Sequence, residues 1–502
     1  MSEQDSRIDM TTGAITPKLF HLAWPLVLGN LLQTVYNLAD MFWVGRVSSE
    51  AVAAVSLMFP LTWLFVSTAI GVTAATIALV SQNVGAGNDR RADEVVGQTT
   101  LLALAVSIVL AVTGFLLRHR LLRWIGADQD PLVFVDALAY IEVIFLTLPL
   151  TFLFFAFRAS LQGAGDTRTA MWLVAISAGA NVVVDPFFIL GWGPFPAWGT
   201  RGAAWATFGS RLLAAVVGVY ILLRGSWGIR LRVRDLRPNP ELLRKLIDLG
   251  YPATLDGWAR SFSAVAMAAL VAFFGPAATA AYGIGVRMMS VSWAAAGAVG
   301  QATATGVGQN LGSAAPDRAA RVTYTATGAT MAFLFVVGAI AWLFPAAAMG
   351  VFVGDTEVIE QGVRFLRIVA LSWGFFGGLM VIQGGFRGAG DTRIAMVLSL
   401  LSRWGFRIPV AAVLAFAWTV SVPGVGVTIT ALDWGVEGLW WSYAVGAVLS
   451  FALGAAWFLR GTWTEGVIDE DATEPKPVEA ATTTTSAESS RDAEADLSES
   501  DD

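Results

Sequence analysis

Two aspartates stand inside long apolar stretches, where an ionised side chain costs at least a few kcal/mol and usually marks a path for ions or substrate. Asp40 lies in VYNLADMFWVG and Asp185 in NVVVDPFFILGW. Asn181 precedes Asp185 by four residues, so the two share one helix face. Tyr36 and Asn37 precede Asp40 by four and three residues and share its face in the same way. Each acid thus has polar company, which points to a hydrated chamber and not to lipid contact. Two carboxyls in one such site can share a proton and titrate as a unit. Alternatively, Asp40, Asp185 and Asn181, with carbonyl oxygens, supply the hard oxygen ligands that Na⁺ prefers. The plainer reading of each acid is an interhelical hydrogen bond that only holds helices together.

A third acid, Asp256, is followed four residues later by Arg260. That spacing makes an intrahelical ion pair; the other reading is a secondary cation site. Arg211, Arg287, Arg403 and Arg407 also fall in or near apolar stretches, as partners for acids or as side chains that snorkel to the interface. Pro25 and Pro186 lie within apolar stretches and would kink their helices.

The elements that must position these groups follow from composition. The chain has 502 residues, 56% hydrophobic and 14% charged, with a mean hydropathy of +0.63. A soluble domain carries about 25% charged residues. Apolar runs of about 20 residues, enough to span a bilayer, recur from Phe20 to Leu459. They fall near 18–44, 52–80, 95–117, 133–157, 168–191, 202–224, 246–274, 279–308, 322–346, 358–385, 393–420 and 436–460. The fold class is therefore an all-α, multi-pass membrane protein of about twelve transmembrane helices.

The halves repeat. GAGDTR occupies Gly163 to Arg168 and again Gly388 to Arg393, an offset of 225 (388 − 163). Gln82-Asn83-Val84-Gly85 is echoed by Gln309-Asn310-Leu311-Gly312, and Gly199-Thr-Arg-Gly202 by Gly435-Val-Glu-Gly438. Echoes in order at nearly one spacing indicate duplication. An even number of spans per half predicts two six-helix bundles related by a pseudo-twofold along the membrane normal, with a central cleft. Aligned on the repeat, Asp40 faces Leu270 and Asp185 faces Ile408, so the acids belong to the first half alone. The repeated GAGDTR loop reads as a tight turn in which Asp166 or Thr167 caps the next helix; it could also act as a hinge or latch.

These divisions predict an N-terminal segment at 1–17, a first lobe at 18–224, a linker at 225–245, a second lobe at 246–460 and a tail at 461–502. The tail is acidic, rich in Thr, Ser and Ala, and expected to be disordered. Arginines concentrate in the linker and in alternate loops, which by the positive-inside rule puts both termini in the cytoplasm. The loop with Arg118, Arg120 and Arg123 runs against that rule. No cleavable signal is evident in the polar first 17 residues.

The same inventory excludes several functions. There is no cysteine, so no thiolate or disulfide chemistry, and the two histidines lie near span ends. None of the three lysines lies in the interior of a span, and no phosphate-cradling Gly-Lys-Ser/Thr loop is present. Nothing here makes an enzyme, and no cofactor is implied beyond a coupling ion.

Taken together, Pro25 with Tyr36-Asn37-Leu-Ala-Asp40, Val44-Gly45, Gln162 with both GAGDTR copies, and Asn181 with Asp185-Pro186 resemble the multidrug and toxin extrusion (MATE) family, from about Gly13 to Arg460. The resemblance implies two six-helix bundles around a V-shaped cleft and exchange of H⁺ or Na⁺ for cationic or amphipathic drugs. The first-lobe set is similar to the DinF-like branch, which implies cation coupling at Asp40, Asp185, Asn181 and Tyr36, with Asn37 and Thr207 as candidates for contact with substrate. The other bacterial branch favours an acid on span seven, where Asp256 stands in place of a glutamate, plus one on span ten. Span ten here (LSWGFFGGLMVIQGG) has none, which favours coupling in the first lobe.

The sequence and this resemblance together imply a plasma-membrane antiporter of small organic molecules working by alternating access, with H⁺ favoured over Na⁺ and Na⁺ retained as the alternative at Asp40, Asp185 and Asn181. Its partners are small organic substrates and the bilayer, with no nucleic acid, and it is taken as a monomer. The alternative is a flippase or exporter of lipid-linked saccharides or other lipids, which calls for a strongly cationic cleft.

Overall fold

The structure is a computed structural model, described for residues 7–225, 228–422 and 427–464. The acidic tail beyond 464, expected to be disordered, lies outside the described residues. The first half forms helices α1 (Ile15–Val44), α2 (Ser49–Gly85), α3 (Asp89–Trp124), α4 (Pro131–Gly163), α5 (Thr167–Leu190) and α6 (Gly199–Arg224). The second half forms α7 (Pro240–Ala272), α8 (Pro276–Gly312), α9 (Pro316–Leu343), the short α10 (Pro345–Gly350), α11 (Thr356–Val369), α12 (Trp373–Gly388), α13 (Thr392–Leu400), α14 (Ile408–Ala415) and α15 (Val436–Leu459). A 3₁₀ turn, Ala370–Ser372, joins α11 to α12, and a π-helical turn, Leu401–Arg407, joins α13 to α14. Among the described residues, nine helical segments are long and apolar enough to cross a membrane. The chain is a multi-pass membrane protein.

Local sequence explains where the helices begin. Asp130 and Asn239 cap α4 and α7, each followed by a proline at the first helical position. In the repeated loops, Asp166 accepts from Thr169 N–H at 3.0 Å and Asp391 from Ile394 N–H at 3.5 Å, while Gly165 and Gly390 turn with φ of +90° and +86°. The capped turn expected from GAGDTR is therefore formed twice. The helices run on through Pro25 and Pro186. Two features depart from expectation. The span placed at 393–420 stops at Ala415, and a two-stranded hairpin follows, Thr419–Val422 paired with Val427–Thr430.

The two lobes trade helix ends. Leu22 and Leu26, in the first half of α1, pack with Ala302 and Val307 of α8 in the second lobe. Leu246 and Leu249, in the first half of α7, pack with Ala75 and Val80 of α2 in the first lobe. The repeated Gln-Asn motifs meet where α2 and α8 cross, and only glycine fits there. A Cβ on Gly85 would lie 1.9 Å from Gln309 O, and one on Gly312 would lie 1.9 Å from Gln82 O. Gln82 Nε2 donates to Gly388 O at 3.0 Å, and Thr305 Oγ1 to Gln162 O at 3.1 Å, so each lobe reaches the other's repeated loop.

Residues 7–14 form a strap across this crossing. Ile8 N–H donates to Gly165 O at 3.2 Å on the first lobe, and Met10 N–H donates to Gln309 Oε1 at 2.8 Å on the second. Arg318 donates to Met10 O at 3.0 Å and to Thr12 O and Gly13 O at 2.6 and 2.7 Å. Met10 itself is fully buried.

Away from the strap the seam continues to Trp258 Nε1, which donates to Leu64 O, and Asn30 Nδ2, which donates to Ala294 O, both at 3.3 Å. Asn37 and Arg287 lie about two turns farther out on those same faces of α1 and α8, and both are exposed. The lobes part there into the V-shaped cleft, which opens at the end opposite the strap.

Candidate functional site

Asp40 sits about seven turns into α1 and Asp185 about five turns into α5, both in the half of the first lobe nearer the open end of the cleft. Helices α1, α4, α5 and α6 surround them. Asp185 and Asn181 are fully buried, with 0% exposure, one turn apart on α5; Asp40 is half-buried. The two carboxyls are close enough to act on one another electrostatically. Tyr36 lies within the field of both acids, and its Oη is 3.2 Å from Thr207 Oγ1 on α6. Five buried polar atoms of this group have no hydrogen-bonding partner among the described residues: Asp40 Oδ1, both Asp185 oxygens, and Asn181 Oδ1 and Nδ2. A buried polar atom without a partner costs about 1–3 kcal/mol, and five stand together here, with hydrogen-bonding and ligating capacity that the described residues leave unused.

Asn37 departs from this group. It is exposed toward the cleft and is 3.3 Å from Gln33 Nε2, from which it accepts. The structure thus brings Asp40, Asp185, Asn181, Tyr36 and Thr207 to one place and leaves Asn37 at its edge.

Sequence reasoning did not place other nearby residues at this site. Tyr140 of α4 is buried within the field of Asp40, Asp185 and Tyr36, but in the run LAYIEV it reads as an ordinary core aromatic. Arg211 of α6, buried, does not snorkel, and among the described residues it makes no ion pair with an acid. Its guanidinium lies 4.2 Å from the Phe154 ring centre and donates to Ser177 Oγ at 3.3 Å and Gln33 Oε1 at 3.4 Å. Arg158 of α4 donates to Asn30 Oδ1 at 3.2 Å, next to the seam.

Asp256 in the second lobe is arranged differently. It is buried, with Oδ2 accepting from Arg260 at 2.7 Å and Arg387 at 3.0 Å, and Oδ1 accepting from Ser399. Arg403 stands 4.0 Å from Oδ1 and also donates to Ser399 Oγ. Sequence spacing anticipates only the Arg260 contact. With guanidinium groups on both oxygens, this carboxylate already has its counter-charge, and a secondary cation site gains no support from it.

The family model described as MatE matches this chain twice, over residues 25–187 and 252–413. The chain belongs to the MatE family. The two matched stretches fall one in each half of the chain. A probable multidrug resistance protein, YoeA, of Bacillus subtilis is 31% identical over 407 residues, covering 80% of this chain and 88% of that one. A probable multidrug resistance protein, NorM, of Thermotoga maritima is 26% identical over 455 residues, covering 90% and 94%. Among solved structures, an outward-facing multidrug resistance MATE transporter superposes with a TM-score of 0.82 at 21% identity, covering 91% of this chain and 98% of that one. This MATE-family chain shares that fold, and the family is one of membrane transporters, not enzymes.

Proposed function

We propose that this MATE-family protein is a cation-coupled exporter of small organic molecules, with the coupling cation held at Asp40 and Asp185. The observation that carries the reading is the set of five unpartnered buried polar atoms on Asp40, Asp185 and Asn181. Tyr36, tied to Thr207, links that set from α1 to α6, so a change of charge at the acids is felt by both helices. The set belongs to one half of a duplicated chain, as expected of a specialised site, and fits the DinF-like branch.

The proposed topology takes α1–α9, α11 with α12, α13 with α14, and α15 as the twelve spans. The first lobe then runs over 18–224 and the second over 246–460, joined by the linker at 225–245. Both termini lie in the cytoplasm and the protein works as a monomer in the plasma membrane. In this frame the strap closes the cytoplasmic side and the cleft faces outward.

In the proposed cycle, an outward-facing cleft takes up a cation at the acid pair and releases substrate. The loaded lobes rock, the strap and the crossing of α2 and α8 open, and the cation leaves to the cytoplasm. Substrate then binds and the lobes return. Mutual exclusion at shared carboxylates yields exchange. H⁺ is the favoured cation over Na⁺, because two carboxyls can share a proton while Tyr36 and Thr207 bond to each other. The drive suffices: one charge across about 100 mV supplies about 2.3 kcal/mol and each pH unit about 1.4 kcal/mol. Tenfold accumulation of a neutral substrate needs about 1.4 kcal/mol.

The test is uptake of ethidium into inside-out vesicles under an imposed pH or Na⁺ gradient. An H⁺ gradient alone should drive uptake. If neither gradient drives it, the exporter reading is lost.

A further inference from the structure

The second lobe carries a concentration of positive charge that the acid-pair mechanism does not use. Arg260 of α7, Arg387 of α12 and Arg403 and Arg407 of the π-helical turn form one electrostatic cluster. Among the described residues Asp256 is the one acid in the cluster: Arg260, Arg387 and Arg403 face its carboxylate and Arg407 adjoins Arg403, so the four guanidiniums and one carboxylate leave a net of +3. Arg403 and Arg407 are 8% and 6% exposed. In a low-dielectric interior such an excess is costly unless an anion balances it.

Two further observations point to a ligand. Arg407 Nε and Ser402 Oγ are buried without hydrogen-bonding partners. Arg403 and Arg407 stand on the π-helical turn Leu401–Arg407, a distortion that recurs at functional sites. The cluster is also reachable. Trp258 of α7 reaches across the seam to Leu64, and Arg260 lies two residues farther along α7 with 36% of its side chain exposed; Arg387 is 27% exposed. An exposed aromatic ring stands beside Arg260, Trp404, which donates to Ala259 O at 3.1 Å, while Arg407 lies 4.0 Å from the ring centre of the buried Tyr443.

We infer that this cluster binds the anionic group, a phosphate or carboxylate, of an aromatic organic substrate at the apex of the cleft. The inference rests on the exporter reading and deepens it: the cleft is bipolar, acidic in the first lobe and cationic in the second, and suits anionic or zwitterionic cargo as well as cations. Guanidinium forks match both groups in a bidentate manner.

The experiment is calorimetric titration of the full chain in lipid nanodiscs with 1-naphthyl phosphate, 1-naphthol and inorganic phosphate. The phosphate ester should bind at least tenfold more tightly than either of the others. Arg260→Gln and Arg407→Gln should each weaken the ester at least tenfold and leave naphthol unchanged, while Arg260→Lys, which keeps the charge, should retain the preference. Equal affinity for ester and naphthol, or a preference that survives both glutamine variants, overturns the inference. Inorganic phosphate binding as tightly as the ester overturns the organic class and leaves a bare ion site. Gradient-driven ethidium uptake, measured in parallel on the unaltered protein, reads the exporter proposal separately.

Discussion

Gly165→Ala is expected to open the strap side of the molecule. Gly165 turns with φ of +90°, and an added Cβ would meet Ile8 O at 2.6 Å and Gln309 Nε2 at 3.0 Å. The backbone strain of about 1–2 kcal/mol is present whichever way the lobes face, and so shifts nothing. The clash with Ile8 acts only when the strap is docked. Displacing the strap forfeits the Ile8 bond to Gly165 O at 3.2 Å and the Met10 bond to Gln309 at 2.8 Å. At about 1 kcal/mol net each, that removes about 2 kcal/mol from the closed state alone. Only such a differential moves a two-state equilibrium, and about 2 kcal/mol moves it roughly thirtyfold. The chain has no cysteine, so spin labels at Ala86→Cys and Ser313→Cys, just past the crossing of α2 and α8, report the distance by pulsed electron resonance without background. The long-distance population should rise in Gly165→Ala. Gly179→Ala, whose Cβ would meet nothing within 4 Å, should leave it unchanged. An unaltered distance distribution in Gly165→Ala, with protein still folded, refutes the strap as a closing device.

Three other outcomes follow from the same geometry. Burial pulls the Asp9 carboxyl upward, but bonds from Thr11 and Thr12 and the charge of Lys18 hold it below the usual carboxylate range. Its contribution is therefore present above that range and lost as pH falls through the lowered value, so strap opening should grow on acidification and Asp9→Asn should abolish that dependence in the same label-distance assay. Asp235, buried in the linker, accepts from Arg90 at 2.5 and 2.7 Å; because Arg90 is half exposed, Asp235→Asn should cost only about 1–2 kcal/mol, seen as a lower thermal midpoint in detergent with transport retained. Gly312→Val puts a side chain where even a Cβ would lie 1.9 Å from Gln82 O, so the crossing cannot close and exchange should stop although the protein reaches the membrane, as surface labelling and flux assays would show.

The helices were legible because apolar runs of bilayer length announce themselves, and the duplication because GAGDTR is copied letter for letter. A capped turn was legible from the same motif, with Asp166 or Thr167 as the cap; the structure selects Asp166, and Asp391 in the second copy. The π-helical turn was not: LSRWGFR continues an apolar segment, and widening by part of a residue per turn leaves no mark on so short a pattern. The strap was not, because its bonds join backbone groups and polar side chains some 300 positions apart. At the candidate site, i and i+4 spacing gave Asn181 with Asp185 and Tyr36 with Asp40. It could not give Tyr140, which arrives from α4. For Asp256 the same rule found Arg260 and missed Arg387 and Arg403, which tertiary packing delivers; this buried acid of α7 is held by arginines from three segments.

The most direct test of the account is proton counting during substrate release. Purified protein loaded with ethidium is titrated in weak buffer, and proton uptake is recorded against ethidium displaced, for the unaltered chain and for Asp185→Asn. The acid-pair account predicts that displacement by acid takes up protons in the unaltered chain and that Asp185→Asn loses most of that uptake. Proton uptake per ethidium that is unchanged in Asp185→Asn would contradict it.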